Sequence, residues 1–272
     1  MNKQFKFVKG VKVNDKIEWT DYTWNVVGGC QHACRWDMPD GSTAICYAES
    51  TAKALKSDTF FQHGFNHHYF HPSRLEEPLK MKTPSRIFLD SMSDLMGHWV
   101  KDEEIEAVLD IARRAPWHTF QLLTKNAPRL LKFDFPPNVW VGVSAPPSHM
   151  NGKPLSDVQR SLYVQKALDV MLHVRASTRW MSIEPLSYNI SDDFWLWQRA
   201  TKDENFNPRP FPLEWAVIGA ATNGRTVYQP EPIWVSNILN ALGGYNTPVF
   251  FKGNLRGNKA AVPWREEFPN EA

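Results

Sequence analysis

Cysteine is scarce and unevenly placed: the 272 residues hold three, Cys30, Cys34 and Cys46, all within one short stretch. A secreted disulfide framework needs an even, dispersed set, which this chain lacks. An apolar leader is missing too, since Met1 to Lys16 is basic and polar, so a cytoplasmic location is expected. No apolar run approaches the ~20 residues that span a bilayer, which excludes membrane-spanning helices and a membrane partner. A strong charge of either sign is also absent. The formal net charge of +2 does not demand a nucleic-acid partner, although clustered basic groups permit one. What is abundant is apolar and aromatic: 42% of residues are hydrophobic and 12 are tryptophan. That suffices for a large core, as one α/β barrel or two smaller domains. Any single tryptophan is read first as core or rim packing.

Three thiolates do not fill the four-ligand shell of a structural zinc or of a fully ligated iron-sulfur cluster. Three readings stay open: buried thiols packing as small hydrophobes, a zinc with His32 as fourth ligand, or a 4Fe-4S cluster with one iron left open for a substrate or cofactor. Three residues separate Cys30 from Cys34, whereas Arg35 to Ile45, with Pro39, Asp40 and Gly41, reads as a turn-rich insertion before Cys46. Tyr47 to Leu55 has a helical pattern. Cys46 then stands at a helix N-terminus, where the dipole favours a thiolate.

Strands alternate with helices along the rest. Ile17 to Val27 predicts a strand ending at Gly28-Gly29, just before Cys30. Further strands are expected at Arg86–Leu89, Thr119–Leu123, Val139–Val143, Trp180–Ile183, Trp215–Ile218 and Pro248–Phe251. Helices are expected at Asp102–Ala115, whose acidic start suits the dipole, at Ser156–Val174 with Val158, Leu162, Leu168, Met171 and Leu172 on its apolar face, and at Pro232–Leu242, with a short one at Pro128–Lys132. Between Phe60 and Pro84 lie His63, His67, His68 and His71 among aromatics and prolines, read as a packed, partly exposed loop rather than a second metal site. This alternation predicts one α/β domain over 1–272, a full or partial TIM-type barrel of parallel strands, with 1–16 as an N-terminal extension and 253–272 as a tail. Each apolar run stops at a polar group: Cys30, Asp90, Thr124, Ser144, Glu184, Lys252. In such folds the C-terminal ends of the strands form the active face, so these residues are expected at one mouth.

A specific order of short segments links the chain to known proteins: Ile17-Glu18-Trp19-Thr20-Asp21, Gly29-Cys30, Cys46-Tyr47-Ala48-Glu49, His71-Pro72, Ser91-Met92-Ser93-Asp94-Leu95, Phe120-Gln121-Leu122-Leu123-Thr124-Lys125, Val141-Gly142-Val143-Ser144, Ser182-Ile183-Glu184-Pro185-Leu186 and Phe250-Phe251-Lys252. Over nearly its whole length the sequence resembles a phage and bacterial family of three-cysteine proteins of uncharacterised function, divergent relatives of the radical SAM superfamily. Gly29 to Trp36, rejoined to Cys46-Tyr47-Ala48, is also similar to the cluster loop of the spore photoproduct lyase group. Three departures stand out. Lys125-Asn126-Ala127-Pro128 stands where a Lys-Arg-Pro usually follows the third strand. Gly219-Ala220-Ala221-Thr222-Asn223-Gly224 replaces a Gly-Gly-Glu-Ser-Gly-like run, and the insertion between Cys34 and Cys46 is longer than the pattern.

The resemblance implies a radical-SAM-like fold and an enzyme whose Cys30, Cys34 and Cys46 hold a 4Fe-4S cluster that cleaves S-adenosylmethionine to a 5′-deoxyadenosyl radical. It implies that Ser91, Ser93 and Asp94, with Thr124, contact the methionine moiety, that Ser144 meets ribose or carboxylate, and that Gly219 and Ala220 face adenine. Glu184, Lys252 and Lys125 become the catalytic candidates, with a flavodoxin or ferredoxin as electron donor. The substrate expected is a nucleic acid or nucleotide, contacted by Arg35, Arg74, Lys80, Lys82, Arg86, Lys125 and Arg129 interleaved with Trp36, Phe70 and Trp117. Alternatives are a zinc-binding barrel without chemistry and a radical enzyme acting on a small sugar or amino acid.

Overall fold

The computed structural model describes residues 1–54, 60–201, 207 and 210–269; Leu55, the expected end of the first helix, lies outside them. The chain is a mixed α/β protein built on parallel strands. It packs as two compact units, Met1–Ala33, Ile45–Gly142 and Arg175–Ser177 in one, and Cys34–Ala44, Val143–Val174 and Thr178–Ala272 in the other.

In the first unit, β1 (Tyr22–Trp24), β2 (Arg86–Leu89) and β3 (Thr119–Thr124) pair in parallel, with Trp24 opposite Leu89 and Phe120 opposite Ile87. Ile87, Leu89, Phe120, Leu122 and Trp24 are fully or almost fully buried, whereas Arg86 and Phe88, on the other face of β2, are partly exposed. The expected strand over Ile17–Val27 shrinks to Tyr22–Trp24, because Asp21 turns its carboxylate back to the backbone N–H of Arg86 (3.0 Å). The N-terminal segment is no loose extension. Asn2–Lys3 pairs antiparallel with β1, and Phe5–Val8 forms a hairpin with Val11–Asn14. Helix α1 spans Tyr47–Ala54, and α2 spans Asp102–Arg114. The latter buries Ile105, Val108, Leu109, Ile111 and Ala112, and Glu104 accepts the Lys101 backbone N–H (3.1 Å) at its start.

Strand β4 (Val139–Ser144), buried throughout, begins in the first unit and ends in the second. In the second unit β5 (Arg179–Ile183), β6 (Trp215–Ile218) and β7 (Val249–Phe251) are parallel, with Trp180 opposite Trp215. The parallel run in neither unit closes on itself, so a complete barrel is not what the pairing shows. The two indoles lie 5.1 Å apart, and Phe268 stacks on Trp215. Residues after 252 thus return to the sheet: Phe251 and Glu267 donate backbone hydrogen bonds to Arg265 and Val249. Helices α3 (Asp157–His173), α4 (Ser191–Ala200) and α5 (Pro232–Gly243) complete the unit. Sequence reasoning placed α3 and α5 and missed α4. On α3 the buried face is Val164, Ala167, Leu168, Val170 and Met171, whereas Val158 and Leu162, expected on it, are 68% and 60% exposed in the first turns.

The start of α3 is held by a reciprocal cap, in which the Gln159 N–H donates to the Ser156 hydroxyl (3.3 Å) and the Ser156 N–H to the Gln159 side chain (2.9 Å). Replacing Ser156 by alanine is expected to cost about 1 kcal/mol in urea denaturation, with spectra of the native state unchanged.

Candidate functional site

In the first unit the loop after β1 is fastened at successive residues. Val27–Gly28 pairs antiparallel with Tyr69–Phe70. Gly29 has φ +79°, and a Cβ there would lie 1.8 Å from the His67 carbonyl oxygen, so no side chain fits. The Gly29 N–H donates to Met92 O (3.1 Å), the Cys30 N–H to Phe65 O (2.7 Å), and the Ser93 hydroxyl to Gly29 O (2.5 Å). Then His32 Nε2 meets Asp94 Oδ2 at 2.8 Å, both side chains buried, with Trp99 edge-on to the imidazole at 4.9 Å.

Asp94 is the hub of this loop. Its Oδ2 also accepts the Lys125 N–H (2.8 Å), its Oδ1 the Met96 N–H (3.0 Å), and the Thr124 hydroxyl is a further partner. Burial alone would push this carboxyl up. The hydrogen bond and charge of His32, with the Lys125 N–H and the Thr124 hydroxyl, outweigh it and hold the carboxyl below the usual range. The strand-end residues read as cofactor contacts therefore have protein partners: Asp94 holds His32, Ser93 holds Gly29, and Ser91 donates to Asn25 Oδ1 (3.1 Å). Thr124 Oγ1 accepts the Asn126 N–H (2.8 Å). Cys30 is partly exposed, as is Cys46, whose carbonyl accepts the Ser50 N–H (2.9 Å) in the first turn of α1.

Asp90, at the end of β2, is among the strand-end residues expected at the mouth, but nothing in the sequence assigned it a role. It is 2% exposed and has φ +52°, a left-handed backbone. Its Oδ1 accepts the Val27 N–H (2.8 Å), while its buried Oδ2 has no hydrogen-bond partner among the described residues. Burial pushes its carboxyl up to about 7, against the opposing pull of the Val27 and Val26 N–H groups and of Arg74.

In the second unit Cys34 is buried. The segment read as a turn-rich insertion is ordered as strands: Arg35–Asp37 lies between Thr43–Ile45 and His149–Met150, which continues to Lys153–Pro154. Its tip meets the hairpin Ala221–Asn223/Thr226–Tyr228. The Tyr228 hydroxyl donates to Asp40 Oδ2 (2.5 Å) and the Asn223 amide to Ser42 Oγ (3.2 Å); the Tyr228 hydroxyl first, then the Ser42 groups, lower the Asp40 carboxyl to about 2.

At the ends of β5 and β7, Glu184 and Lys252 form a partly exposed ion pair. A Cβ on Gly219 would stand 3.1 Å from Glu184 Cγ and 3.2 Å from Lys252 Cδ, so glycine makes room for that pair. The backbone of Ala220 is engaged on both sides by Asn254, whose Oδ1 accepts its N–H (3.0 Å) and whose amide donates to its carbonyl (2.8 Å). No sequence signal marked Asn254. Ser144 is buried at the end of β4.

Among the described residues no three His, Cys, Asp or Glu side chains converge to hold a single metal ion. Thiolates sharing one zinc at about 2.3 Å must nearly touch, whereas the ligands of a cubane bind separate irons and stand apart. Three soft thiol donors in one short segment suit zinc or iron-sulfur chemistry.

The basic residues expected on a nucleic-acid face are largely engaged within the protein. Arg74 grips Glu77 through Nε (3.0 Å) and Nη2 (3.2 Å), Arg35 donates to Cys34 O (2.7 Å), and Arg129 binds Gly97 O, Val100 O and Asp102. Trp36 is buried and offers no stacking face. Trp117 donates to Met81 O (2.9 Å) beneath the Lys82 ammonium. No described helix is long and apolar enough to cross a membrane.

A family model described as "Protein of unknown function (DUF5131)" matches residues 14–261. Among curated proteins, none matches. Solved structures with a similar course of chain include a spore photoproduct lyase complexed with dinucleoside spore photoproduct (TM-score 0.46, 13% identity, covering 77% of this chain and 58% of that one). Others are a double mutant of that lyase with bound AdoMet and the dinucleoside (0.45, 10%, 82% and 61%) and a point mutant (0.48, 9%, 90% and 79%). The chain thus spans under two thirds of the first of these.

Two outcomes follow from the geometry. His32→Ala leaves Asp94 buried without its imidazole and is expected to lower stability by about 3 kcal/mol in urea denaturation. For Asp90 the folded-state carboxyl is raised, so the folded protein holds its proton more tightly than the unfolded chain, and stability falls as pH rises from about 4 through 7. This group alone should make the protein roughly 2–3 kcal/mol less stable at pH 8 than at pH 5. Asp90→Asn should flatten that slope when denaturation is measured at both pH values.

Proposed function

We propose, for a chain that belongs to the DUF5131 family of proteins of unknown function, that Cys30, Cys34 and Cys46 hold a 4Fe-4S cluster and that the protein is a radical SAM enzyme acting on a nucleic acid or nucleotide. When bound, such a cluster supplies the electron that opens a carbon–sulfur bond of S-adenosylmethionine and releases a 5′-deoxyadenosyl radical. The observation that carries the reading is the gathering of every cysteine of the chain into residues 30–46, on a loop tied down at Gly29, Cys30 and His32. A loop fastened before metal arrives presents its thiols without the ordering cost that a disordered segment bears.

The remaining residues divide the work. Ser93 and Asp94 set the loop, Ser91 steadies Asn25, and Thr124 with the Lys125 N–H completes the shell around Asp94. Gly219 leaves space for Glu184 and Lys252. That pair serves as the acid–base element: Lys252 Nζ donates a proton to a substrate oxygen or nitrogen, and Glu184 Oε1 takes one up, each kept near the other so that neither charge stands alone. Ser144 provides a hydroxyl at the end of β4 for the sugar or carboxylate of the cofactor. A flavodoxin or ferredoxin supplies electrons.

Anaerobic reconstitution with iron and sulfide tests the reading. The expected product is a brown protein with about four irons per chain, and 5′-deoxyadenosine is expected in the chromatogram after reductant and S-adenosylmethionine are added. Cys30→Ala, Cys34→Ala and Cys46→Ala should each lose most of the iron. A protein that takes up one zinc and no iron overturns the proposal.

A further inference from the structure

The four histidines of residues 60–71 are not used by the reaction proposed above, and the structure divides them into two kinds. Two are anchors. His68 Nε2 pairs with Glu104 at 2.8 Å, fastening the segment to the start of α2. His71 stacks on Phe60 (centroids 4.2 Å apart, planes at 21°), gives its N–H to Val26 O (2.8 Å) and keeps Nε2 buried. Burial, then the charges of Arg74 and His68, lower its pKa, so it packs as a neutral ring. The other two face outward. His63 and His67 are exposed and lie 5.0 Å apart, centroid to centroid, both on one side of Tyr69. His63 is parallel to the Tyr69 ring (2°, 6.5 Å), and His67 is edge-on to it (4.9 Å). The tyrosine cannot swing away. Its hydroxyl accepts the His63 N–H (2.6 Å) and donates to Gly64 O (3.1 Å), and Phe61 packs edge-on against its ring (5.8 Å).

We infer that His63, Tyr69 and His67 form a stacking shelf for the bases of a single-stranded nucleic acid, placed beside the cysteine loop. Three observations select this occupant. Tyr69 is held by backbone hydrogen bonds and by Phe61, and the His63 and His67 rings pack against it and each other, so part of the ordering that base stacking requires is already in place. From Phe60 to Leu75 there is no Asp or Glu, and Glu104 and Glu77, which reach the segment from outside it, are paired with His68 and Arg74, so a polyanion approaching His63 and His67 meets no carboxylate of the segment itself. Lastly, the shelf is continuous with the reactive loop, because Phe65 O receives the Cys30 N–H and His67 O lies against Gly29. A base resting there stands next to the chemistry assigned above. The shelf deepens that assignment by naming the nucleobase as the substrate part recognised, and it rests on the nucleic-acid reading.

The test uses the full chain before any iron is loaded, with a fluorescein-labelled oligothymidylate of about ten nucleotides, within the usual footprint of such surfaces. Anisotropy titrations are run at two salt concentrations and repeated with an abasic strand of the same length. The wild type should bind the oligothymidylate, more weakly as salt rises, and should bind the abasic strand at least tenfold more weakly. His63→Ala/His67→Ala should lose at least tenfold in affinity for oligothymidylate with an unchanged melting temperature; both residues are exposed, so folding is not at stake. Equal binding by variant and wild type overturns the shelf, as does equal affinity for the abasic strand or no binding at all. Failure here is separable from failure of the cofactor reading. Absence of oligonucleotide binding in a protein that still yields 5′-deoxyadenosine removes the shelf alone, whereas base-dependent binding in a protein that takes up no iron leaves the shelf standing.

Discussion

A carboxylate withdrawn from water must find donors on every side, and Asp94 finds them in an imidazole, two backbone N–H groups and a hydroxyl. Those donors come from the loop after β1, the turn after β2 and the end of β3. One buried charge therefore sets the relative placement of three strand ends. Because His32 lies midway between two cysteines, the same requirement fixes the cysteine loop. Gly29 reinforces it from the other side, since the His67 carbonyl occupies the space where a Cβ would go. The loop is trapped between an electrostatic clamp and a steric one.

The second unit handles its charges differently. Glu184 and Lys252 keep part of their surface in water and so avoid most of the desolvation cost that a fully buried pair carries. Gly219 lets them meet, and Asn254 takes over the backbone of Ala220. The result is a compromise: enough burial to order the two side chains, and enough contact with water to spare them the cost of full desolvation.

The core strands were legible because a strand covered on both faces must be apolar almost without interruption, as Val139–Val143 and Trp215–Ile218 are. The beginning of α3 was legible from Ser156 and Gln159, which act locally. Roles that depend on distant partners were not. Asp94 reads in the sequence as a polar residue at a strand end, open to a ligand; only the fold shows that its carboxylate is committed to His32. The same holds for the insertion after Cys34, where proline and glycine suggested turns and pairing with His149–Met150 made strands. Val158 and Leu162 misled for a related reason: hydrophobic spacing continues into the first turns of α3, beyond the point at which the helix meets its neighbours.

The insertion and the hairpin around Gly224 were both noticed as departures from a pattern, and they turn out to touch. Asp40 receives Tyr228, and Ser42 receives Asn223. Shortening either segment would remove the hydrogen-bond partners of the other, and because Asp40 and Tyr228 stand in water the groups left behind would be hydrated rather than buried unpaired. A chimaera exchanging only one of the two segments would therefore lose the link between them while leaving each free to fold.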